Sequence, residues 1–387
     1  MKRREEFLSF SPPLIGAEEI AEVVDTLRSD WITTGPKTRQ FEREFAQFVG
    51  APAALAVGSA TDAMLVGLAA LGIEPGDRVI TTPMTFCSTV HVIEHLGAEP
   101  VLVDVEPDTL NIDPEQVARA VTPRTRVVMP VHLYGHPCEM DALLDIATRH
   151  NLYVLEDAAH ALPARYKGRM VGTLGTLTAF SFYATKNLTT AEGGMLTGDP
   201  AIIEQARLWS LHGMSRDAYK RYSAEGSWYY EVILPGFKCN MTDIQAAIGL
   251  HQLHKLQQSQ VRRREIVRRY NEAFSRLEAL QIPVERPEVE HARHLYALRL
   301  NLERLTIDRS RFIEELKARN IGTSVHFIPV HLHPYYRDKY GYKPQDFPVA
   351  YENYRRLISL PLNLRMSDQD VDDVIEAVFD VVNAYRR

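Results

Sequence analysis

Three observations predict an α/β fold with a large, mostly parallel central sheet and a smaller C-terminal α+β domain. Short apolar runs alternate with segments of helical period between Ala54 and Leu155. Each intervening segment is long enough to carry the chain across a sheet, as parallel neighbours require. Past Leu155 the alternation gives way to one long helical stretch and then to mixed strand and helix patterns. The expected division is 1–250, a large α/β domain with N-terminal helices, and 251–387, the rest of the long helix with the smaller domain.

The elements follow in chain order. Apolar residues at helical spacing (Ile20, Val23, Val24, Leu27, then Phe41, Phe45, Phe48, Val49) predict two amphipathic helices. The loop Trp31–Pro36 separates them, marked by Gly35-Pro36. Strands are expected at Ala54–Val57, Arg78–Thr81, Pro100–Val103, Arg126–Met129 and Leu152–Leu155, and helices at Ala63–Leu71, Ser88–Leu96, Pro114–Ala120 and Met140–His150. Such βαβ units bury both sheet faces, which is why the strands read as continuous apolar runs. Thr176–Phe182 and Gly193–Thr197 read as further strands, Pro200–Leu211 as a helix and Ser215–Tyr230 as irregular. A helix is expected from Thr242 to about Leu277, with Arg262-Arg263-Arg264 on a solvated face. After Pro283 and Pro287 come strand-like His294–Leu300, helix Arg309–Arg319, strand-like Thr323–Phe327 and helix Asp368–Tyr385.

Composition narrows the class. Apolar residues are 45% and charged residues 24% of the 387, ordinary for a globular protein. Forty-four basic against 50 acidic residues give a net charge of −6, with no basic run to track a phosphate backbone. Three scattered cysteines indicate neither a disulfide framework nor a clustered zinc site. The charged start Met1–Glu6 lacks an apolar signal-peptide stretch, and no run is long enough to span a membrane. A cytoplasmic enzyme is the expectation.

Common motifs are missing. Val57-Gly58-Ser59-Ala60-Thr61 is not Gly-x-Gly-x-x-Gly, and no P-loop occurs. The 14 histidines include His91-Val92-Ile93-Glu94-His95, the wrong order for a zinc-protease helix; no metal is expected.

Four stretches fall beyond the carboxyl ends of strands, where an open α/β sheet binds its ligands. Gly58–Thr61 is a strand-to-helix turn whose backbone N–H groups suit a phosphate, or simply an N-cap by Ser59. Leu152–His160 ends an apolar strand in Glu156-Asp157, placing a carboxylate at a pocket floor or capping a turn. Ala179–Asn187 carries Ser181 and Lys186, and Glu192-Gly193-Gly194 follows, where bare backbone admits a ligand. Pro235–Asp243 opens the long helix with Asn240, as cap or anion contact.

Together these parts suit pyridoxal phosphate (PLP). Its aldehyde needs an amine, its ring nitrogen a carboxylate, its phosphate hydroxyl and backbone donors, and its ring face a flat partner such as Phe86.

These stretches also resemble the DegT/DnrJ-type sugar aminotransferases, PLP-dependent transferases of fold type I (aspartate aminotransferase-like). The likeness runs from Phe7 to the last helix and rests on Trp31–Lys37, Glu156–Ala161, Ser181-Phe182-x-Ala184-x-Lys186-Asn187, Ala191–Gly194 and Gly236–Asp243. Within the family it points to the enzymes that make UDP-4-amino-4-deoxy-L-arabinose with an oxoglutarate/glutamate couple. The resemblance implies an internal aldimine on Lys186 and a pairing of Asp157 with the pyridinium nitrogen. It implies phosphate contacts from Ala60, Thr61 and Ser181, and from Asn240 of a neighbouring subunit, hence a homodimer. Phe86 takes the ring-stacking position, where Trp is usual in the arabinose enzymes. His160 takes a ring-proximal position that is often Gln, and Cys239 stands where Tyr is common. Thr33, Thr34, His326 and His331 match substrate contacts.

The implied activity is transfer of an amino group from glutamate to a nucleotide-linked keto sugar, with Lys186 as the base. Related dehydratases carry His at the lysine position, so Lys186 argues against that chemistry. Two alternatives stay open: a relative acting on a carbocycle (an aminohydroxybenzoate-type synthase), and a regulator that binds PLP or sugar nucleotides without turnover.

Overall fold

The computed structural model describes residues 4–214 and 229–387. The irregular segment expected at Ser215–Tyr230 lies outside the described residues apart from Tyr229 and Tyr230.

In the first half, strands β1 (Ala53–Val57), β2 (Arg78–Thr81), β3 (Glu99–Leu102), β4 (Thr125–Val128) and β5 (Tyr153–Asp157) alternate with helices. Helices α1 (Ala17–Arg28) and α2 (Pro36–Val49) come first, and α3 (Ala60–Ala70), α4 (Ser88–His95), α5 (Pro114–Ala120) and α6 (Met140–His150) connect the strands. A small hairpin, β6 (Arg165–Tyr166) and β7 (Arg169–Met170), precedes β8 (Leu177–Ser181) and β9 (Gly194–Gly198), with α7 (Pro200–Ser210) after them. The seven-stranded sheet has the order β1-β9-β8-β5-β4-β2-β3, and only β9 runs antiparallel to its neighbours. The carboxyl ends of β1, β2, β5 and β8 therefore share one edge, and Gly194 at the start of β9 joins them there.

Alternation along the strands divides the core between two faces. Ala54, Ala56, Val154, Phe180 and Met195 meet Phe41 and Phe45 of α2 on one side. Leu55, Val57, Leu155, Ala179 and Leu196 meet Met64 and Leu68 of α3 on the other.

Helix α8 (Asp243–Phe274) is opened by a capping box in which Thr242 and Gln245 satisfy each other's backbone amides. Its Leu250, Leu253 and Leu256 belong to the α2 side of the first core. Its Ile266, Tyr270 and Phe274 belong to a second core, built on the sheet β10 (Leu280–Gln281), β12 (Tyr296–Leu300) and β13 (Leu357–Leu360). The intervening β11 (Val289–Glu290) instead pairs with β6. Helices α9 (Arg309–Ala318), α10 (Pro334–Tyr340), α11 (Pro348–Arg356) and α12 (Asp368–Tyr385) complete the chain.

Two expectations are corrected. Arg262-Arg263-Arg264 does not lie wholly on a solvated face, because three consecutive residues sweep about 200° around a helix. Arg263 is 3% exposed, and its Nη1 donates to the carbonyls of Arg293, His294 and Leu362. Thr323–Phe327 is not a strand either. Ser324 forms one bridge with Ser359, after which the chain leaves the sheet edge and carries His326 and Phe327 into the wall of a cavity. Among the described residues no helix is long and apolar enough to cross a membrane.

Candidate active site

That cavity, about 510 Å³, opens where the parallel strands end. It is the crevice that an open α/β topology leaves beyond its carboxyl edge. Ala60, Thr61, Phe86, Asp157, His160, Ser181, Lys186 and His326 all line it, drawn together from distant parts of the sequence.

The paired acids at the end of β5 separate by strand alternation. Asp157 faces the cavity, 4% exposed; its Oδ2 accepts from Thr89 Oγ1 at 2.8 Å and its Oδ1 from the Ala159 amide at 3.1 Å. Burial pushes its carboxyl up, and the Thr89 hydrogen bond opposes that. Glu156 points away, accepting from the Gly175 amide and Thr178 Oγ1 and meeting the fully buried His132 at 2.8 Å.

Lys186 sits in the turn after β8, its backbone held to the Tyr183 carbonyl at 2.9 Å. Burial lowers its amine to about 8, against the pull of the Asp157 carboxylate. An amine so shifted is free for nucleophilic attack at far lower pH than an exposed lysine.

At the opposite wall, Ser59 caps α3 through a bond from the Asp62 amide to its Oγ, leaving Ala60 and Thr61 as the first helical residues. Their amides have no intrahelical partner, so an anion completes them. Gly194 makes this cradle possible. A β-carbon there would lie 2.4 Å from the Ser59 carbonyl and 2.7 Å from the Ala60 nitrogen, so β9 approaches α3 this closely only as glycine. Cys239 packs below, its thiol pushed up to about 12 by burial and by Asp62.

Neutral histidines close the site. His160 is 7% exposed; its Nδ1 accepts from the Tyr134 amide, and its ring stacks on Phe327 at 5.6 Å. Burial and the nearby Lys186 hold His160 and His294 well below the usual histidine range, and His326 falls to about 4.

Four residues expected at the site do not line this cavity. Thr33 is exposed, while Thr34 and Asn240 bond each other at 2.6 Å beside the start of α8. Asp243 fastens that loop by accepting from the amides of Gly35 and Thr38. His331 is fully buried against Phe347, ring centroids 4.8 Å apart, because its short 3-10 turn faces the packing between α10 and the main sheet. Thr89, Tyr183, His294 and Phe327 belong at or behind the cavity and were not singled out from the sequence. The Thr85–Thr89 spacing, one helical turn beyond β2, was the available signal for the first; nothing local marked the others.

The residues present fit PLP: an amine for its aldehyde, a buried carboxylate for its ring nitrogen, open amides with Ser181 for its phosphate, and Phe86 for its ring face. Among the described residues no cluster of His, Cys, Asp or Glu side chains is arranged to hold a metal ion.

Sheet, cavity and lysine together define a PLP-dependent transferase of fold type I. The chain belongs to the DegT/DnrJ/EryC1/StrS aminotransferase family, whose profile matches residues 13–379. It is 56% identical over 384 residues to the spore coat polysaccharide biosynthesis protein SpsC of Bacillus subtilis (strain 168), covering 99% of both chains. It is 55% identical over 384 residues to the uncharacterized protein MJ1066 of Methanocaldococcus jannaschii, covering 99% of this chain and 100% of that one. Among solved structures, the PMP form of the putative sugar aminotransferase Spr1654 from Streptococcus pneumoniae superimposes with a TM-score of 0.92 at 37% identity, covering 97% of this chain and 99% of that one. The PLP form of the same protein gives 0.91. The family read from the motifs, its fold type, its cofactor and its transaminase chemistry are thus borne out.

Proposed function

We propose that the protein transfers an amino group from glutamate to a nucleotide-linked keto sugar, a UDP-4-keto sugar in the first instance, for polysaccharide biosynthesis. The observation that carries this reading is the Lys186 amine, lowered to about 8, sharing one buried cavity with Asp157. The pathway follows SpsC, whose name places it in polysaccharide biosynthesis.

When bound, PLP supplies an electron sink that makes the donor's α-proton removable. Lys186 Nζ is the base that takes this proton and returns it on the other side of the transfer. Asp157 holds a proton on the ring nitrogen, and Thr89 fixes the carboxylate for that task. Ala60, Thr61 and Ser181 hold the phosphate, Phe86 covers the ring and His160 borders it. Thr33, Thr34 and Asn240 do not line this chain's own cavity; in our reading they serve the cavity of a second copy in a homodimer. His326 remains a contact for the sugar.

The test is spectral. PLP-loaded protein should lose its visible absorbance on adding glutamate and recover it with a UDP-4-keto sugar, while Lys186→Ala does neither. Recovery with a keto carbocycle alone would transfer the protein to the other branch of its family. Bleaching by no amino donor would indicate a binding protein. Sedimentation showing an active monomer would remove the shared-site reading.

A further inference from the structure

His294 lines the cavity and is 4% exposed. Its tautomer is fixed by a neighbour. Asn187 Nδ2 donates to the carbonyls of Leu162 and Ala292, both at 2.9 Å, so the amide cannot be turned round. Asn187 Oδ1 then faces His294 Nδ1 at 3.3 Å, and since that oxygen only accepts, Nδ1 must carry the proton. Nε2 is left with a lone pair and no partner among the described residues. The adjacent ring has the opposite polarity. His160 Nδ1 accepts from the Tyr134 amide, so its proton is on Nε2; the two ring centroids are 4.6 Å apart.

We propose that His294 is a specificity-determining residue whose Nε2 accepts a hydrogen bond from a hydroxyl of the sugar substrate. The inference rests on the reading of that substrate as a keto sugar. A hydroxyl can donate to Nε2, whereas the carboxylates of the amino donor, which only accept, are turned away from it. One group thereby sorts the two substrates that must share a single cavity. Asn187 acts as the positioning residue, since without it the imidazole is free to change tautomer.

The experiment has two arms. Nitrogen-15 NMR of the histidines should show His294 as the Nδ1-protonated tautomer in the full-length protein, and Asn187→Leu should lose that fixed state. In half-reaction kinetics, His294→Phe should lower kcat/KM for the keto sugar at least tenfold more than for glutamate, chiefly through KM. His294→Gln, whose amide oxygen accepts, should restore part of the loss. An Nε2-protonated His294, equal damage to both half-reactions, or no damage at all would overturn the proposal. Failure of the wild-type protein to recover with any keto sugar would instead sink the parent reading, and the NMR arm separates the two.

Discussion

Thr89 Oγ1 donates to Asp157 Oδ2 at 2.8 Å, and Thr85 Oγ1 lies 2.7 Å behind it, so a hydroxyl on α4, backed by one in the loop before it, braces the Asp157 carboxylate. Burial favours the neutral acid; of the contacts that favour the anion, the Thr89 bond is the largest, ahead of the Ala159 amide and Lys186. Thr89→Val should therefore raise the Asp157 pKa further and weaken PLP binding about tenfold, the worth of roughly 1.5 kcal/mol for a hydrogen bond to a charged group. Because the anion is recovered at higher pH, the deficit should shrink as pH rises. Titration of apo-protein with PLP at several pH values reads both effects.

The Lys186 amine, lowered to about 8, sets a second pH dependence. Only the neutral amine attacks an aldehyde, so PLP capture by apo-protein should climb about tenfold per pH unit below that value and level off above it. Stopped-flow absorbance gives the profile. A midpoint near that of an exposed lysine would contradict the buried setting described for this side chain.

Gly194→Ala tests the cradle. The added carbon would meet the Ser59 carbonyl at 2.4 Å, and the backbone must give way. We expect a cost of about 1–3 kcal/mol, as for other overpacked sites, and loss of retained PLP on gel filtration. Wild-type melting temperature together with full cofactor retention would show that β9 can retreat without consequence.

Glu156 separates structure from chemistry. Replacing it with Ala strands the half-buried Gly175 amide and the buried Thr178 and His132. The penalty should reach about 3 kcal/mol or more in urea unfolding. The fraction that remains folded should still bind PLP, since Asp157 is untouched.

Much of this was legible in the primary structure. Apolar runs at strand length exposed the parallel sheet, and Asp157 and Lys186 stood out because each ends such a run. What escaped notice depends on three-dimensional company. Leu357–Leu360 is a buried strand whose short apolar run lies among helices, and Thr89 looks like any helix residue until β2 and β5 are set in one sheet on either side of β4. His294 and His331 are both histidines in apolar surroundings, yet one lines the cavity and the other is sealed against Phe347; no local pattern distinguishes them. Arg263 escaped for a related reason, as its acceptors are backbone carbonyls that carry no sequence signature.

Helix α8 carries side chains of both hydrophobic cores on one continuous rod of 32 residues. Melting either end costs the other its scaffold, so heat should unfold the protein in a single endotherm rather than two. Cutting the chain within this rod would yield two fragments, neither able to complete its own interior.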